Sequence, residues 1–275
     1  MTGQPQWMRF RQPFAAVLAG MALVMALPVR AQQVASHAQT ASLKSAQTEM
    51  QTEETRADIL MARKMYGEAA DVLRKIVERQ PADARLLNKL GIAYYQQEKL
   101  GQAKKYYERA ARADASYASP VNNIGTVHYQ RRKYSNAVKF YRQAIALEPN
   151  IAAFHTNLGY AYFHQKKYEE AMQAFHQALR IDPLVFDRRG SAGTVLQHRG
   201  ATDRALFNYF MAKAYARLGN AEKCAQYLKK ARDEHYKGMA GAATDPAFSG
   251  VIHDPQVREA LQLPPLTAGT PVPQT

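Results

Sequence analysis

Histidines and paired acidic residues are the side chains of this 275-residue chain whose types could support chemistry. His155, His164 and His176 are spread over two predicted helices, with no Cys or acidic residue at a metal-ligand spacing. The pairs Glu53-Glu54 and Glu169-Glu170 hold adjacent acids, and adjacent side chains diverge on a helix, so they favour solvated faces. The pattern therefore predicts no catalytic residue and no metal site.

Cys224 is the only cysteine, so an intrachain disulfide is excluded and the fold must be stable through packing. Its small side chain suits a packing position. His128 and His155 also fall at positions predicted to pack between helices. The sequence has no nucleophile motif, glycine-rich phosphate loop or dinucleotide-binding fingerprint. We therefore expect a protein that is not an enzyme and holds no cofactor.

The first 31 residues have the parts of a secretory signal. Arg9 and Arg11 precede an uncharged apolar run from Phe14 to Leu27, and small residues stand before a predicted cut after Ala31. The run is shorter than the roughly 20 apolar residues of a spanning helix. The sequence thus predicts a periplasmic or secreted protein with no transmembrane span after signal removal. An uncleaved anchor is the alternative.

The net charge indicates what kind of partner the chain would attract. The formal charge is +14, and removing the signal with its three arginines leaves 34 basic and 23 acidic side chains, or +11. Such an excess suits an acidic protein, an anionic surface or nucleic acid. Export makes nucleic acid the least suitable of the three.

A 34-residue period runs through the middle of the chain. Gly91, Gly125 and Gly159 stand 34 residues apart. The same step joins Leu90, Ile124 and Leu158; Ala69, Ala103, Ala137 and Ala171; Leu73, Tyr107, Tyr141 and Phe175; Ala110, Ala144 and Ala178; and Pro149 and Pro183. Small residues at such positions let two helices cross closely, and large ones fill the grooves between helices. Each unit is therefore a predicted helix-turn-helix whose apolar face is buried by the next unit.

The motif within this period is apolar-x2-Leu-Gly-x2-Tyr, then Ala-x3-Phe and a closing Pro. Its best copy consists of His155, Leu158, Gly159, Tyr162, Ala171, Phe175, Ala178 and Pro183. On these residues the chain resembles the tetratricopeptide-repeat (TPR) family. The resemblance implies an all-α fold, a right-handed α-solenoid of antiparallel helix pairs, with about five repeats and a C-terminal capping helix.

The repeats divide the chain into segments. Units 84–117, 118–151 and 152–185 keep the motif, whereas units 50–83 and 205–238 are degenerate, with Cys224 in the small-residue position of the last. The flanking predictions are a flexible lead-in over 32–49, an inserted loop over 186–204, a C-terminal cap over 239–263 and a disordered tail over 264–275.

The resemblance implies a binding groove on the concave side, lined mainly by the first helix of each unit. Carried across to this sequence, its lining is Arg85, Asn88, Lys89, Tyr95, Asn122, Asn123, Tyr129, Asn157, Tyr160, Phe163, His164, Tyr209, Lys213 and Arg217. Asn amides can pair with the backbone of an extended peptide, aromatic rings add apolar contact, and the basic residues near the ends can take acidic groups. The alternative is that some of these aromatic residues merely pack between repeats.

One TPR subtype can be compared position by position. Chaperone-binding TPRs hold a C-terminal carboxylate with lysine, asparagine, asparagine, lysine and arginine. The matching positions here are Asn88, Ile92, Asn123, Ala153 and Asn157, so only Asn123 agrees. The resemblance therefore does not extend to that ligand.

Two functions from different classes follow. The first is a protein-interaction adaptor of the cell envelope or periplasm, which binds a peptide segment or protein face in the groove. The second is an envelope-assembly or structural component that binds an anionic polymer or membrane surface through Lys104, Lys105, Arg131, Arg132, Lys133, Lys166 and Lys167. RNA binding is a third reading that export disfavours. Self-association through the degenerate end repeats stays open, and the sequence does not name the partner.

Overall fold

The computed structural model describes residues 29–186 and 201–265, and every regular element in these ranges is helical. The helices are α1 Val29–Ala62, α2 Tyr66–Arg79, α3 Ala84–Gln96, α4 Leu100–Ala113, α5 Ala118–Gln130, α6 Tyr134–Leu147, α7 Ala152–His164, α8 Tyr168–Ile181, α9 Ala201–Arg217, α10 Ala221–Asp233 and α11 Pro255–Ala260. Two 3₁₀ helices, Lys237–Thr244 and Pro246–Phe248, precede α11. The described residues form two compact units, the first ending at Val72 and the second beginning at Leu73.

The first unit is dominated by the long helix α1. Residues 32–49, the predicted lead-in, lie within it. The helix holds no Gly or Pro, and hydroxyl groups such as those of Thr40 and Thr48 donate to the carbonyl four residues earlier, so several of its hydroxyl groups are satisfied locally. The predicted cut after Ala31 falls in its first turn, while residues 1–28 lie outside the described part. Among the described helices, none combines the length and apolar character that a bilayer crossing demands.

The second unit is a row of antiparallel helix pairs: α3–α4, α5–α6, α7–α8 and α9–α10. The two helices of each pair pack on each other, and the second helix of one pair packs on the first helix of the next. Each pair buries an apolar face that it could not bury alone. This arrangement confirms the predicted α-solenoid.

The periodic glycines lie where the two helices of a pair cross. A Cβ atom added to Gly91, Gly125 or Gly159 would lie only 2.4–2.7 Å from the nearest ring carbon of the second helix. Those rings belong to Tyr107, Tyr141 and Phe175, which are fully buried or nearly so. The 34-residue period therefore arises from this crossing, as the sequence predicts.

The turn inside each pair contains one residue in the left-handed region. Glu98, Arg132 and Lys166 have φ of 59°, 59° and 61°, and Gly219 has φ of 70° at the matching place in the last pair. Left-handed backbone costs a non-glycine residue of order 1 kcal/mol or more, so the helices on either side must hold it in place. Except for the last, these turns carry exposed basic side chains, namely Lys99, then Arg131, Arg132 and Lys133, and then Lys166 and Lys167.

The segment after the last pair covers its end. Phe248, Val251, Val257 and Ala260 are buried in one cluster with residues of α9 and α10, and α11 packs on α10. This is where the sequence predicts a cap. Of the predicted insertion 186–204, residues 187–200 lie outside the described part and 201–204 already belong to α9. Residues 266–275 of the predicted tail also lie outside it.

Candidate interaction site

Four asparagines of the predicted groove bond to one another. Asn123 Nδ2 donates to Asn88 Oδ1 at 3.0 Å, and Asn157 Nδ2 donates to Asn122 Oδ1 at 3.0 Å. Asn122 Nδ2 also reaches Asn123 Oδ1 at 3.3 Å. Asn88, Asn122 and Asn157 are only 3–4% exposed. We call Asn88, Asn122, Asn123 and Asn157 the asparagine ladder.

The asparagine ladder joins successive first helices, α3 to α5 and α5 to α7. Both rungs link residues 35 apart, so the amides that were expected to meet a peptide backbone meet the next repeat instead. Buried amide groups must find partners, because an unpaired one costs about 1–3 kcal/mol. The ladder therefore fixes the register of neighbouring repeats.

Three aromatic residues of the predicted groove are buried between helices. Tyr160 is 1% exposed, with Phe175 edge-on at 5.1 Å and Phe207 stacked at 5.5 Å between ring centroids. Phe163 and Tyr209 are also buried. The alternative of packing between repeats thus describes Tyr160 and Phe163, and only Tyr209 borders an open pocket.

The remaining predicted residues are at least partly accessible. Arg85 and Arg217 are exposed, and Lys89, Tyr95, Asn123, Tyr129, His164 and Lys213 are half-buried. We call the accessible side of α3, α5, α7 and α9 the first-helix face. Burial raises the pKa of Tyr95 to about 12 and raises that of Tyr129 further, so both phenols keep their protons and can donate hydrogen bonds.

An aromatic cluster lies at the end of this face near the turns. Tyr134 stacks on His164 at 5.0 Å with 9° between the rings, and Tyr129 meets both edge-on at 5.5 and 5.4 Å. Phe163 continues the contacts from His164 to Tyr168 at 6.0 and 5.6 Å. Rings from α5, α6, α7 and the start of α8 therefore form one continuous row.

The row leads into a pocket of about 730 Å³, which we call the C-terminal pocket. Its wall comes from the turn before α8, from α9 and from the first 3₁₀ helix, and consists of Lys166, Lys167, Tyr168, Glu169, Glu170, Tyr209, Phe210, Lys213, Tyr236, Gly238, Gly241 and Asp245. Tyr168 stacks on Phe210 at 4.9 Å, and Tyr209 stacks on Tyr236 at 4.5 Å. The pocket thus has aromatic walls and a charged rim.

Asp245 holds one side of the pocket together. Its Oδ2 accepts from Tyr209 Oη at 2.7 Å and from Lys213 Nζ at 3.0 Å, and its Oδ1 accepts from the Ala247 amide at 3.0 Å. Burial acts to raise the pKa of Asp245, but these donors together lower it. The carboxylate therefore stays ionised and ties the 3₁₀ segment to α9.

Two of the predicted basic groove residues are paired with acids of the protein. Lys213 is 14% exposed and bound to Asp245, and Arg217 Nη2 lies 3.7 Å from Glu169 Oε2. They were expected to take a partner's acidic groups. Their charges are instead compensated within the chain.

Five accessible cations lie in two of the turns instead. Arg131, Arg132 and Lys133 connect α5 to α6, and Lys166 and Lys167 lie in the turn from α7 to α8. All five are exposed, and within residues 29–186 and 201–265 none of them makes an ion pair. We call these five residues the basic turns. The sequence assigned them to a surface outside the groove, whereas Lys166 and Lys167 line the C-terminal pocket.

Several residues of the C-terminal pocket and of the aromatic cluster were missed from the sequence. Tyr134 and Tyr168 begin second helices, which the groove pattern does not include, and Tyr236 and Asp245 follow the last repeat. The only sequence signal near these residues is the Asp245-Pro246 dipeptide, which falls within the predicted cap over 239–263. Metal binding gains no support, since the described residues contain no cluster of three His, Cys, Asp or Glu side chains.

The comparison with family models agrees with this fold. The family model described as "Tetratricopeptide repeat" matches residues 55–118 and 122–185. No match is found among curated proteins. The solved structures to which the chain is similar include MamA from Desulfovibrio magneticus RS-1, with 16% identity, 67% of this chain and 94% of that chain covered, and a TM-score of 0.48.

Two further solved structures have comparable likeness. YrrB, described as a TPR protein with an unusual peptide-binding site, has 20% identity, 71% and 91% coverage and a TM-score of 0.46. The first TPR of Spaghetti (RPAP3), bound to an HSP90 peptide, has 25% identity, 38% and 83% coverage and a TM-score of 0.37. The family match and the helix-pair packing together show that this chain contains tetratricopeptide repeats over residues 55–118 and 122–185.

Proposed function

We propose that this chain is a non-catalytic adaptor of the cell envelope or periplasm that binds a peptide segment or protein face. The C-terminal pocket carries the proposal, because it combines an open volume of about 730 Å³ with stacked aromatic walls on a rigid solenoid. Pockets of this size that are lined by aromatic residues with a few polar groups are typical binding sites. The aromatic cluster of the first-helix face extends the surface toward α5.

The chemistry of the pocket favours binding over catalysis. General acid-base catalysis near neutral pH works best with a group whose pKa lies near 7. The pKa of Asp245 is lowered, and burial raises the pKa of Tyr209 and of Tyr236. These three groups therefore keep one protonation state near pH 7 and serve as fixed acceptor and donors.

Export is the second part of the proposal, and the signal-like pattern of residues 1–31 supports it. The test is cell fractionation combined with N-terminal sequencing of the protein produced from the full gene. We expect a mature chain that begins at Gln32 in the envelope or secreted fraction. A chain that keeps its first residues and stays in the cytoplasm would remove this part of the proposal.

Photo-crosslinking in cells tests the binding surface. Tyr134 on the aromatic cluster and Tyr106 on α4 are both half-buried tyrosines, so replacing each by p-benzoylphenylalanine gives a matched pair. We expect a discrete crosslinked product from position 134 and none from position 106. Mass spectrometry of the product identifies the partner, and a product of twice the chain's mass would identify a second copy. Equal products from both positions would contradict the assignment.

The basic turns support the second candidate, an envelope component that binds an anionic polymer or membrane surface. Five exposed cations without ion pairs would hold such a surface mainly by long-range attraction, which is screened within about 8 Å at physiological salt. Binding that disappears between low and moderate salt, and that does not depend on Tyr134, would favour this candidate. Binding that survives moderate salt favours the adaptor.

A further inference from the structure

We propose that the basic turns and the C-terminal pocket together bind one acidic peptide segment, whose carboxylates meet the basic turns and whose apolar side chain enters the pocket. The inference rests on the proposed adaptor function and specifies the chemistry of its partner. The asparagine ladder takes no part in it, and Lys213 lines the pocket with its charge compensated by Asp245.

The first step is the charge of this part of the solenoid. Residues 115–147 contain five basic residues and no Asp or Glu. Unit 118–151 has one acid, Glu148, which lies at the opposite end of α6 from Arg131, Arg132 and Lys133 and accepts from the Ala118 amide at 3.3 Å. Lys166 and Lys167 add two more cations one repeat further on. Uncompensated charge of one sign on a protein surface attracts a partner of the opposite sign and steers its approach.

The second step is that the two basic turns lie close together. Tyr134 follows Lys133 directly, His164 precedes Lys166 by two residues, and the two rings stack at 5.0 Å. Lys166 and Lys167 also belong to the wall of the C-terminal pocket. A single extended segment can therefore touch the first basic turn, the second basic turn and the pocket in that order.

The third step concerns the acids of the pocket itself. Asp245 is compensated by Lys213, and Glu169 by Arg217. Among the described residues, Glu170 is then the one pocket acid without an ion pair. Its single negative charge is outnumbered by the two positive charges of Lys166 and Lys167. The rim thus remains positive where it joins the basic turns.

The fourth step favours a peptide over a nucleic acid. Single-stranded nucleic acids bind proteins largely by stacking bases on open aromatic faces. Here the rings are already stacked on each other in pairs: Tyr134 on His164, Tyr168 on Phe210 and Tyr209 on Tyr236, at 4.5–5.0 Å. Ring edges and the open pocket suit an aliphatic or aromatic side chain better than they suit a row of bases.

The experiment selects ligands from a phage library of random 12-residue peptides. Wild-type protein is compared with the turn variant Arg131→Gln/Arg132→Gln/Lys133→Gln and with a charge-matched control. The control, Lys105→Gln/Lys139→Gln/Arg142→Gln, removes three exposed cations from α4 and α6. A fourth protein, Gly241→Phe, adds a ring to the pocket wall at a glycine with nothing within 4 Å of its added Cβ.

The expected result has three parts. Wild type enriches peptides that combine several Asp or Glu residues with a large apolar residue. In fluorescence anisotropy the best such peptide binds the turn variant about tenfold more weakly than wild type, because three exposed ion pairs are lost. It binds the control less than about twofold more weakly than wild type. Gly241→Phe removes the preference for the apolar residue but keeps the preference for acids.

Other outcomes would contradict the inference in different ways. Enriched peptides that are neutral or basic would overturn the acidic partner while leaving a peptide-binding adaptor. If wild type enriches no peptide, peptide binding by the adaptor fails, and the inference fails with it. Equal losses in the turn variant and the control would overturn the assignment to the basic turns. Displacement of the acidic peptide by a 12-nucleotide RNA or by phosphatidylglycerol vesicles is measured as well. Displacement at a concentration below that at which the peptide itself binds would assign the surface to the RNA or to the membrane instead.

Discussion

Replacing Gly159 by alanine is expected to destabilise the protein, although alanine is the better helix former. Outside a packed crossing, Gly→Ala inside a helix gains about 1 kcal/mol. At Gly159 the new Cβ would lie 2.4 Å from Phe175 Cε1 and 2.5 Å from Cδ1. Phe175 cannot move aside easily, because it is fully buried against Tyr160, Phe186 and Phe207.

The magnitude follows from these two opposing effects. Overpacking a core costs about 1–3 kcal/mol, and the short distance and trapped ring place this site at the upper end. After the gain in helix propensity, we expect Gly159→Ala to lower the free energy of unfolding by about 2 kcal/mol. Gly101→Ala is the control, since its nearest atom to the added Cβ is Arg131 Nη2 at 4.0 Å, and it should be neutral or slightly stabilising.

A double-mutant cycle isolates the cause. Phe175→Ala costs about 3–5 kcal/mol by itself, but it removes every ring atom that the new Cβ would meet. In that background Gly159→Ala should change sign and stabilise the protein by up to about 1 kcal/mol. Urea denaturation followed by far-UV circular dichroism measures all four proteins. If Gly159→Ala leaves wild type equally stable, or costs the same in both backgrounds, close approach of the helices is not why glycine stands there.

Two further substitutions and one labelling experiment test other parts of the structure. Burial lowers the pKa of His128 in the folded protein. Its contribution to stability is therefore full above about pH 6.5 and is lost as the pH falls toward the lowered pKa. In His128→Tyr the melting temperatures at pH 7.5 and pH 5.0 should differ less than they do in the wild type. Burial raises the pKa of Cys224 to about 12, so iodoacetamide at pH 8 should leave the native thiol unmodified and label it in urea. Asn122→Ala leaves the buried amide of Asn157 without its acceptor, so it should lower the free energy of unfolding in urea by about 1–3 kcal/mol. The control Asn136→Ala, at an exposed position, should lower it by under about 0.5 kcal/mol.

The solenoid could be predicted from the sequence because its core repeats. At three helix crossings a glycine contacts an aromatic ring of the second helix, and the same contact recurs from one repeat to the next. Three copies of the spacing Gly-x15-aromatic therefore specify this packing from the sequence alone. The cap was also predictable in position, since Asp-Pro turns mark helix starts. At Asp254 the carboxylate accepts from the Gln256 and Val257 amides, and Pro255 begins α11.

The groove lining could be predicted less well, for a physical reason. The period assigns residues to the first helices, but it does not tell whether an amide faces solvent or the next repeat. Asn88 and Asn123 are separated by one residue more than the period, and this offset brings their side chains together across α3 and α5. The pairing of Lys213 with Asp245 was also hidden, because the acid lies in a segment outside the repeats.

The accessible pocket arises where the repeat pattern stops. Inside the solenoid, each helix pair meets another pair of the same shape, so Tyr160 and Phe163 are covered by the next first helix. After α10 no such pair follows, and the chain continues as a 3₁₀ segment that covers α9 only in part. Tyr209 and Phe210, although only 6% and 8% exposed, therefore border a cavity, and a single carboxylate, Asp245, holds its far wall. Specific recognition needs side chains whose environment differs from that of every other repeat, and in this chain the departure from the period supplies them.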